Sequence, residues 1–483
     1  RGAELLRRAD VVVYDSLVNR ELLALAPEAA EVIFGGKRPR DRAIPQEELN
    51  RLLAEKAAAG KTVVRLKGGD PYIFGRGGEE AAGLHRDGVP FEVVPGISSI
   101  IAAPSYAGIP LTHRDHCSSF TVITGHEDPG KEESALDWER IAREPGTKVF
   151  LMGVERIGKI AAALEANGLD AGTPVAMVRW GTMGRQKTIT GTLATIADKV
   201  AMADFKAPAV TIIGGVSTLR DTLNWFENRP LFGQRVVVTR TRNQASRLSG
   251  QLRDLGADVL EIPTIKIVPP GSNEPIVEAV TGIGSYDWIV FTSPNGVEHF
   301  FDYFFKAFRD VRDLGCVRFA AVGPATAKKL GELHLHIDLM PEVYTAEATA
   351  KALLDHQNVE NISVLLARAE EANSELPRML EDRGAIVDDV AFYKTIPETE
   401  DRNGAAEDFE ENGADWITFA SSSAVKNFDA RFNLAKRCED NSKLKLASIG
   451  PETTKALKEL GLKPTAKARD HTIDGLAAAL LKK

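Results

Sequence analysis

The chain has 483 residues, 43% of them hydrophobic and 27% charged, with a formal net charge of -8. That composition suits a soluble protein of several domains, has no apolar run long enough for a membrane span, and disfavours nucleic acid or an anionic membrane as a general partner. Cys117, Cys316 and Cys438 are far apart and odd in number, which gives no disulfide frame and no zinc site and fits a reducing, cytoplasmic compartment.

In chain order, residues 1–6 read as a helix already under way, so the segment that would feed it is expected to be missing. Ala9 to Asp15 is a buried strand ending on a carboxylate. Glu31 to Phe34 is a second strand, ending on the basic turn Gly35-Gly36-Lys37-Arg38-Pro39-Arg40. A helix starts at Pro45 and runs to Ala59. The stretch from Thr62 to Glu80 then joins a strand to Gly68-Gly69-Asp70-Pro71 and to a second glycine-arginine turn, as expected where strands end at the carboxyl edge of an open α/β sheet and ligands bind. Glycines let backbone approach a ligand, and Asp70 offers acceptors for ribose hydroxyls or an amine rather than for phosphate. No phosphate-loop or dinucleotide glycine pattern accompanies it. A tight turn with Asp70 as a helix-entry residue explains the isolated motif equally well.

Phe91 to Val94 is the next expected strand, followed by a helix entered through Ser98 and Ser99. A second series begins at Thr121 and continues with Lys148 to Met152, Val175 to Trp180, Thr188 to Thr192 and Ala209 to Ile213, its later strands antiparallel. Strands alternating with helices predict a mostly parallel sheet first. His113-Arg114-Asp115 and His116 imitate fragments of a kinase loop and a metal pair, but the remaining parts of both are missing, so no metal is expected. Residues 229–234 break the pattern and mark a linker.

Beyond it lies an internal repeat. Val236 to Arg240 matches Val364 to Arg368, Asp287 to Ser293 matches Asp415 to Ser421, and Val322-Gly323-Pro324 matches Ile449-Gly450-Pro451, always offset by 127 or 128 positions. Two similar α/β lobes follow, with a cleft expected between them. A two-lobed ligand-binding module has the same outline.

Residues 1 to about 228 resemble the uroporphyrinogen-III C-methyltransferases, through Val11 to Val18, Gly36 to Arg38, Pro45 to Glu48, Val63 to Glu80, Val93 to Ser98, Ala107 to Asp115, Ile123 to His126 and Leu223 to Phe226. Residues from about 232 to 483 resemble uroporphyrinogen-III synthase, through TSPNGV, VGPATA, ARAEEANSELPRMLEDRGA, FYKT and IGPETTKAL. The fold class this implies is α/β: a two-lobed tetrapyrrole methylase fold (lobes about 1–116 and 117–228), then a two-lobed α/β synthase-like fold over 235–483.

The activities implied are cyclisation of hydroxymethylbilane to uroporphyrinogen III and its double methylation from S-adenosyl-L-methionine to precorrin-2, on the sirohaem or cobalamin branch, in a homodimer formed through the methyltransferase half. The alternatives are a non-catalytic tetrapyrrole-binding or regulatory protein, or synthase activity alone beside an inactive, truncated methyltransferase half. The resemblance implies Asp15 as proton acceptor and Lys37 as proton donor. It implies Gly68, Gly69, Asp70, Ile73, Ser98, Ser99, Met152, Gly181 and Ala209 as cofactor contacts, although the family often has Thr-Ala where Ser98-Ser99 stands. It also implies that the family's opening strand and cofactor loop precede the first residue here.

A polycarboxylate substrate calls for local arginines, and Arg38, Arg40, Arg65, Arg76 and Arg114 lie in or beside ligand-edge turns. In the second half, Ser293, Thr326, Ser421 and Thr453 open helices whose backbone N–H groups suit carboxylates, with Arg240 and Arg368 nearby. Tyr393 matches the family's candidate proton donor, and its repeat partner is Ile265. A purely structural tyrosine at a strand end reads equally well there.

Overall fold

The computed structural model describes residues 1–36, 44–126, 136–240 and 242–481, with only the backbone for 242–246. Among the described residues, four sheets organise the chain. The first is parallel, in the order β2-β1-β3, from β1 (Val11–Tyr14), β2 (Glu31–Phe34) and β3 (Val63–Leu66). β1 is central because both its faces are apolar. Val11 and Val13 pack on Leu49 and Leu53 of the helix Gln46–Ala58, while Val12 packs on Leu6 and Leu23. All three strands run the same way, so the turns after Tyr14, Phe34 and Leu66 come to one edge.

The second sheet has the order β4-β5-β8-β6-β7, from β4 (Phe120–Thr124), β5 (Thr147–Leu151), β6 (Pro174–Arg179), β7 (Lys187–Thr192) and β8 (Ala209–Ile213). Only β4 and β5 are parallel. The strand expected at Phe91 to Val94 does not form: that stretch has no ladder partner among the described residues. β-branched residues favour a pleated surface but cannot supply the neighbour that makes a strand. The helix Ser99–Tyr106 joins the two sheets, burying Ile100 and Ala103 against Val149, Ala176, Val178, Val210 and Ile212 of the second.

By contacts the chain divides into two compact units, residues 1–262 with 400–483, and residues 263–399. The first unit contains the two sheets above and a third, ordered β10-β9-β16-β17-β18, from β9 (Arg235–Val238), β10 (Asp258–Glu261), β16 (Trp416–Phe419), β17 (Lys445–Ser448) and β18 (Ala466–Lys467). The second unit holds the fourth sheet, ordered β11-β15-β14-β12-β13, from β11 (Ile265–Val268), β12 (Trp288–Phe291), β13 (Arg318–Ala321), β14 (Ser363–Ala369) and β15 (Ile386–Pro397).

Repeat and lobe do not coincide. β9, from the first repeat, pairs in parallel with β16 from the second, while β14 from the second pairs with β12 from the first. Each sheet is therefore built from both repeats. The same bond marks both seams: Asp415 accepts from Arg235 N at 2.7 Å, and Asp287 accepts from Ser363 N at 2.9 Å.

Candidate functional site

The edge of the first sheet gathers several of the expected residues. Asp15 follows β1 and turns its chain tightly, accepting from Leu17 N at 3.1 Å. That turn abuts the glycine turn after β3: a Cβ on Gly68 would come within 2.9 Å of Leu17 O. Gly69 has φ +108°, a conformation side chains resist, and its α-carbon faces Ser98 so closely that a Cβ would sit 3.2 Å from Ser98 Cα. Ser98 Oγ accepts from Asp70 N at 3.0 Å, and the Asp70 carboxylate accepts from Tyr72 N at 2.9 Å and Gly96 N at 3.2 Å. Two backbone donors thus fix the carboxylate and leave it further lone pairs. Ile73, 39% exposed, continues from this turn.

Ser98 and Ser99 begin the helix Ser99–Tyr106, which at eight residues is about 12 Å long. Midway along it, Ala103 meets Gly181, where a Cβ would fall 2.5 Å from the alanine's. Gly181 lies two residues past β6, whose last residue, Arg179, is opposite Ala209 at the start of β8. On the other side of β8, Leu151 of β5 is opposite Val210, so Met152 comes to the same end of the sheet. Met152 has φ +57° and is half exposed. One short helix therefore connects the edge carrying Asp15 and Asp70 with the edge carrying Met152, Gly181 and Ala209.

The arginines are placed differently. Lys37, Arg38 and Arg40 lie outside the described residues. Arg65 does not reach outward for a substrate. Its guanidinium bonds Glu80 at 3.2 Å, the carbonyls of Val13 and Leu66, and Asp15 at 3.5 Å. Glu80, buried on the helix Gly77–Arg86, also takes Lys67 at 3.0 Å and Gln46 at 3.2 Å. A carboxylate removed from water needs such cations, and they leave Arg65 as a brace behind Asp15. Glu80 was missed in the sequence; Arg65 on β3 and Lys67 just past its end, two cations two positions apart, were the available sign of a buried acid. Arg76 is a surface residue in the left-handed conformation, paired with Glu79 at 2.6 Å. Arg114 is exposed on its turn.

In the second unit, Ser293 caps the helix Pro294–Ala307 by accepting from Gly296 N at 3.0 Å, and the same hydroxyl meets Tyr393 Oη at 2.8 Å. Burial pushes the Tyr393 phenol above its ordinary range, against the opposing hydrogen bonds of Ser293 and Asn295. The His299 ring stacks on Tyr393 with centroids 5.6 Å apart. This neighbour, six residues past the cap, carried no sequence signal. Thr326 is buried in the first turn of the helix Pro324–Glu332.

Arg368 is not a free cation for substrate. It is buried, paired in bidentate fashion with Asp389 and bonded to the Asn373 carbonyl, so its fork is spent inside the lobe. In the first unit, Ser421 caps the helix Ser422–Phe432 by accepting from Ala424 N at 3.1 Å, and Thr453 is buried at the start of the helix Pro451–Glu459. Arg240 follows β9 and is half-buried, which depresses its pKa.

Residues 1–197 match the family of tetrapyrrole (corrin/porphyrin) methylases, and residues 246–478 match uroporphyrinogen-III synthase HemD. The chain is 38% identical over 482 residues to the porphyrin biosynthesis protein HemD of Ruminiclostridium josui, covering 100% of this chain and 94% of that protein. It is 50% identical over 223 residues, 46% of this chain and 88% of the relative, to an S-adenosyl-L-methionine-dependent uroporphyrinogen III methyltransferase of Methanosarcina barkeri. A crystal structure of uroporphyrin-III C-methyl transferase from Thermus thermophilus, complexed with S-adenyl homocysteine, is 38% identical and covers 45% of this chain and 90% of its own, with a TM-score of 0.38. The chain belongs to the family of the HemD porphyrin biosynthesis protein, with a tetrapyrrole methylase followed by a uroporphyrinogen-III synthase.

Proposed function

We propose that the second half closes hydroxymethylbilane to uroporphyrinogen III and that the first half methylates this product twice, to precorrin-2. The observation that carries the reading is the meeting of Asp15, Gly68-Gly69-Asp70 and Ser98 at one sheet edge, in a chain whose M. barkeri relative is named for uroporphyrinogen III methylation.

S-adenosyl-L-methionine, when bound, supplies an electrophilic methyl group on a cationic sulfur. The residues present fit it. Asp70 keeps further lone pairs for ribose hydroxyls, Gly69 and Ser98 form a wall of backbone, and Ile73 and Met152 offer exposed apolar surface. The chain's contribution to methylation is position and proton removal. As the new carbon–carbon bond forms, Asp15 takes the proton that the substrate loses, while Arg65 keeps that carboxylate in place. Lys37 completes this reading as proton donor.

In the cyclisation, Tyr393 gives its proton to the departing hydroxyl, which leaves as water; the last ring inverts as carbon–carbon bonds break and re-form with a net gain of one, and the ring carbon that closes the macrocycle returns its proton to the phenolate. Ser293 orients the phenol. Within each unit separately, N–H groups at helix starts suit carboxylates: those marked by Ser293 and Thr326 in the second, and those marked by Ser421 and Thr453, with Arg240, in the first. The reading places the boundary between halves at residues 229–234, puts the protein in the cytoplasm and makes it a homodimer through the methylase half, which sedimentation velocity checks.

Hydroxymethylbilane and S-adenosyl-L-methionine supplied together to the full chain test the whole. Dimethylated product is expected. Uroporphyrinogen III without methylation leaves the synthase alone standing, and neither product overturns the proposal.

A further inference from the structure

Trp180 and three cations around it form a group that the chemistry above does not use. Trp180, with φ +51°, follows β6 directly and precedes Gly181. The Arg179 guanidinium stacks 3.7 Å from the indole centroid, that of Arg185 lies at 5.0 Å and the Lys187 ammonium at 6.0 Å. Arg179 and Lys187 are opposite one another on the β6–β7 ladder. Three cations thus share one ring.

The acids nearby do not balance them. Arg185 meets Asp408 at 3.4 Å, but Asp408 also holds Arg235 at 3.1 Å, and Asp204 is taken by Lys206 at 2.7 Å. Neither Arg179 nor Lys187 has a carboxylate partner among the described residues. Nε of Arg179 and Nε of Arg185 are buried without a hydrogen-bond acceptor. Buried donors left unmade are costly, and like charges crowded together add to that cost. The crowding is felt: burial, and then the charge of Arg185, lower the Arg179 pKa, with the Asp204 carboxylate opposing.

A bound anion offsets the crowded positive charge. A carboxylate suits better than a point charge would, because an arginine stacked on an aromatic face is held flat and presents two parallel N–H donors. The group also stands where such an arm would arrive, since Arg179 is opposite Ala209 and Gly181 is two residues on. We propose that Arg179, Trp180 and Lys187 form a binding site for one carboxylate arm of the tetrapyrrole, with Arg185 at its back. The proposal rests on the methylation reading and extends it by assigning the residues that anchor the macrocycle beside the second sheet.

The test uses the full chain and its Arg179→Gln, Lys187→Gln and double variants, none of which touches the Arg185–Asp408 pair. Uroporphyrin III, the fluorescent oxidised polycarboxylate, is titrated into each. The expected result is binding about tenfold weaker for the double variant, the equivalent of ~1.4 kcal/mol, with a shallower dependence on salt. KM for uroporphyrinogen III rises in parallel, kcat changes far less, and affinity for S-adenosylhomocysteine holds. Trp180→Phe, which keeps a ring for the stack, retains most of the affinity, whereas Trp180→Ala loses it. Parent-like binding and KM in the double variant overturn the proposal while methylation stands. A parent chain that neither binds uroporphyrin nor methylates uroporphyrinogen III overturns the functional reading and this site with it.

Discussion

Arg185 of the methylase half and Asp408 of the synthase half form an ion pair at 3.4 Å across 223 positions of sequence. Arg185 belongs to the same turn as Gly181, and the rest of that turn is held from the same side. Gly184 O accepts from Gly233 N at 2.9 Å, and a Cβ at Gly184 would lie 2.2 Å from the backbone of Ala257 and Asp258. The synthase portion of the first unit therefore fixes a turn that the proposed methylation uses. Asp408→Asn releases Arg185 and leaves Arg235 with Asp258 alone. Breaking a partly buried pair costs on the order of 1–3 kcal/mol. Calorimetry should show a lower Tm, and titration with S-adenosylhomocysteine should show a several-fold weaker Kd. A variant that loses stability but keeps the parent Kd would uncouple the turn from the cofactor.

Asp15→Asn keeps shape and volume while removing the base. Methyl transfer in a single turnover, followed by mass spectrometry, is expected to slow by roughly 10²–10⁴-fold, with S-adenosylhomocysteine binding as in the parent. An unchanged rate would remove the proton-acceptor role.

Gly69→Ala introduces a side chain at φ +108° facing Ser98. Backbone strain of this kind costs of the order of 1–3 kcal/mol, and relief by shifting the turn disturbs the Ser98–Asp70 bond. Both urea denaturation and cofactor affinity should suffer; a variant matching the parent in both would show that the turn is looser than its geometry states.

Tyr393 is protonated in folded and unfolded chains below pH 10. Above that value the unfolded tyrosine ionises first, because burial raises the folded pKa, so the unfolded state binds fewer protons and stability falls as pH rises past about 10. Urea titrations at pH 9 and pH 11 on the parent and on Tyr393→Phe read this: the variant should lose less stability between the two. Formation of uroporphyrinogen III by Tyr393→Phe should fall by roughly 10²-fold or more if the phenol is the proton donor.

Much of the first edge was legible because its signals are local. A run of buried valines ending on Asp15, a glycine pair before Asp70 and a serine at a helix entry each say where a strand stops, and parallel strands stop together. The arginines were not legible. Arg65 and Arg368 look like any ligand-edge cation, and only the fold reveals that Glu80 and Asp389 are waiting for them. The repeat offset was visible while the exchange of strands was not, since a valine-rich strand satisfies either neighbour and the pairing is decided by the connections, not by composition.

That exchange sets a timetable for synthesis. Arg235 and Asp415, which close the β9–β16 seam, are 180 positions apart, so at roughly 5–20 residues per second the ribosome delivers the second strand about 10–40 s after the first. Until then Val236 to Val238 have one neighbouring strand instead of two. A nascent chain released in that interval carries its methylase sheets beside an unfinished one, whose open edge is a template for aggregation.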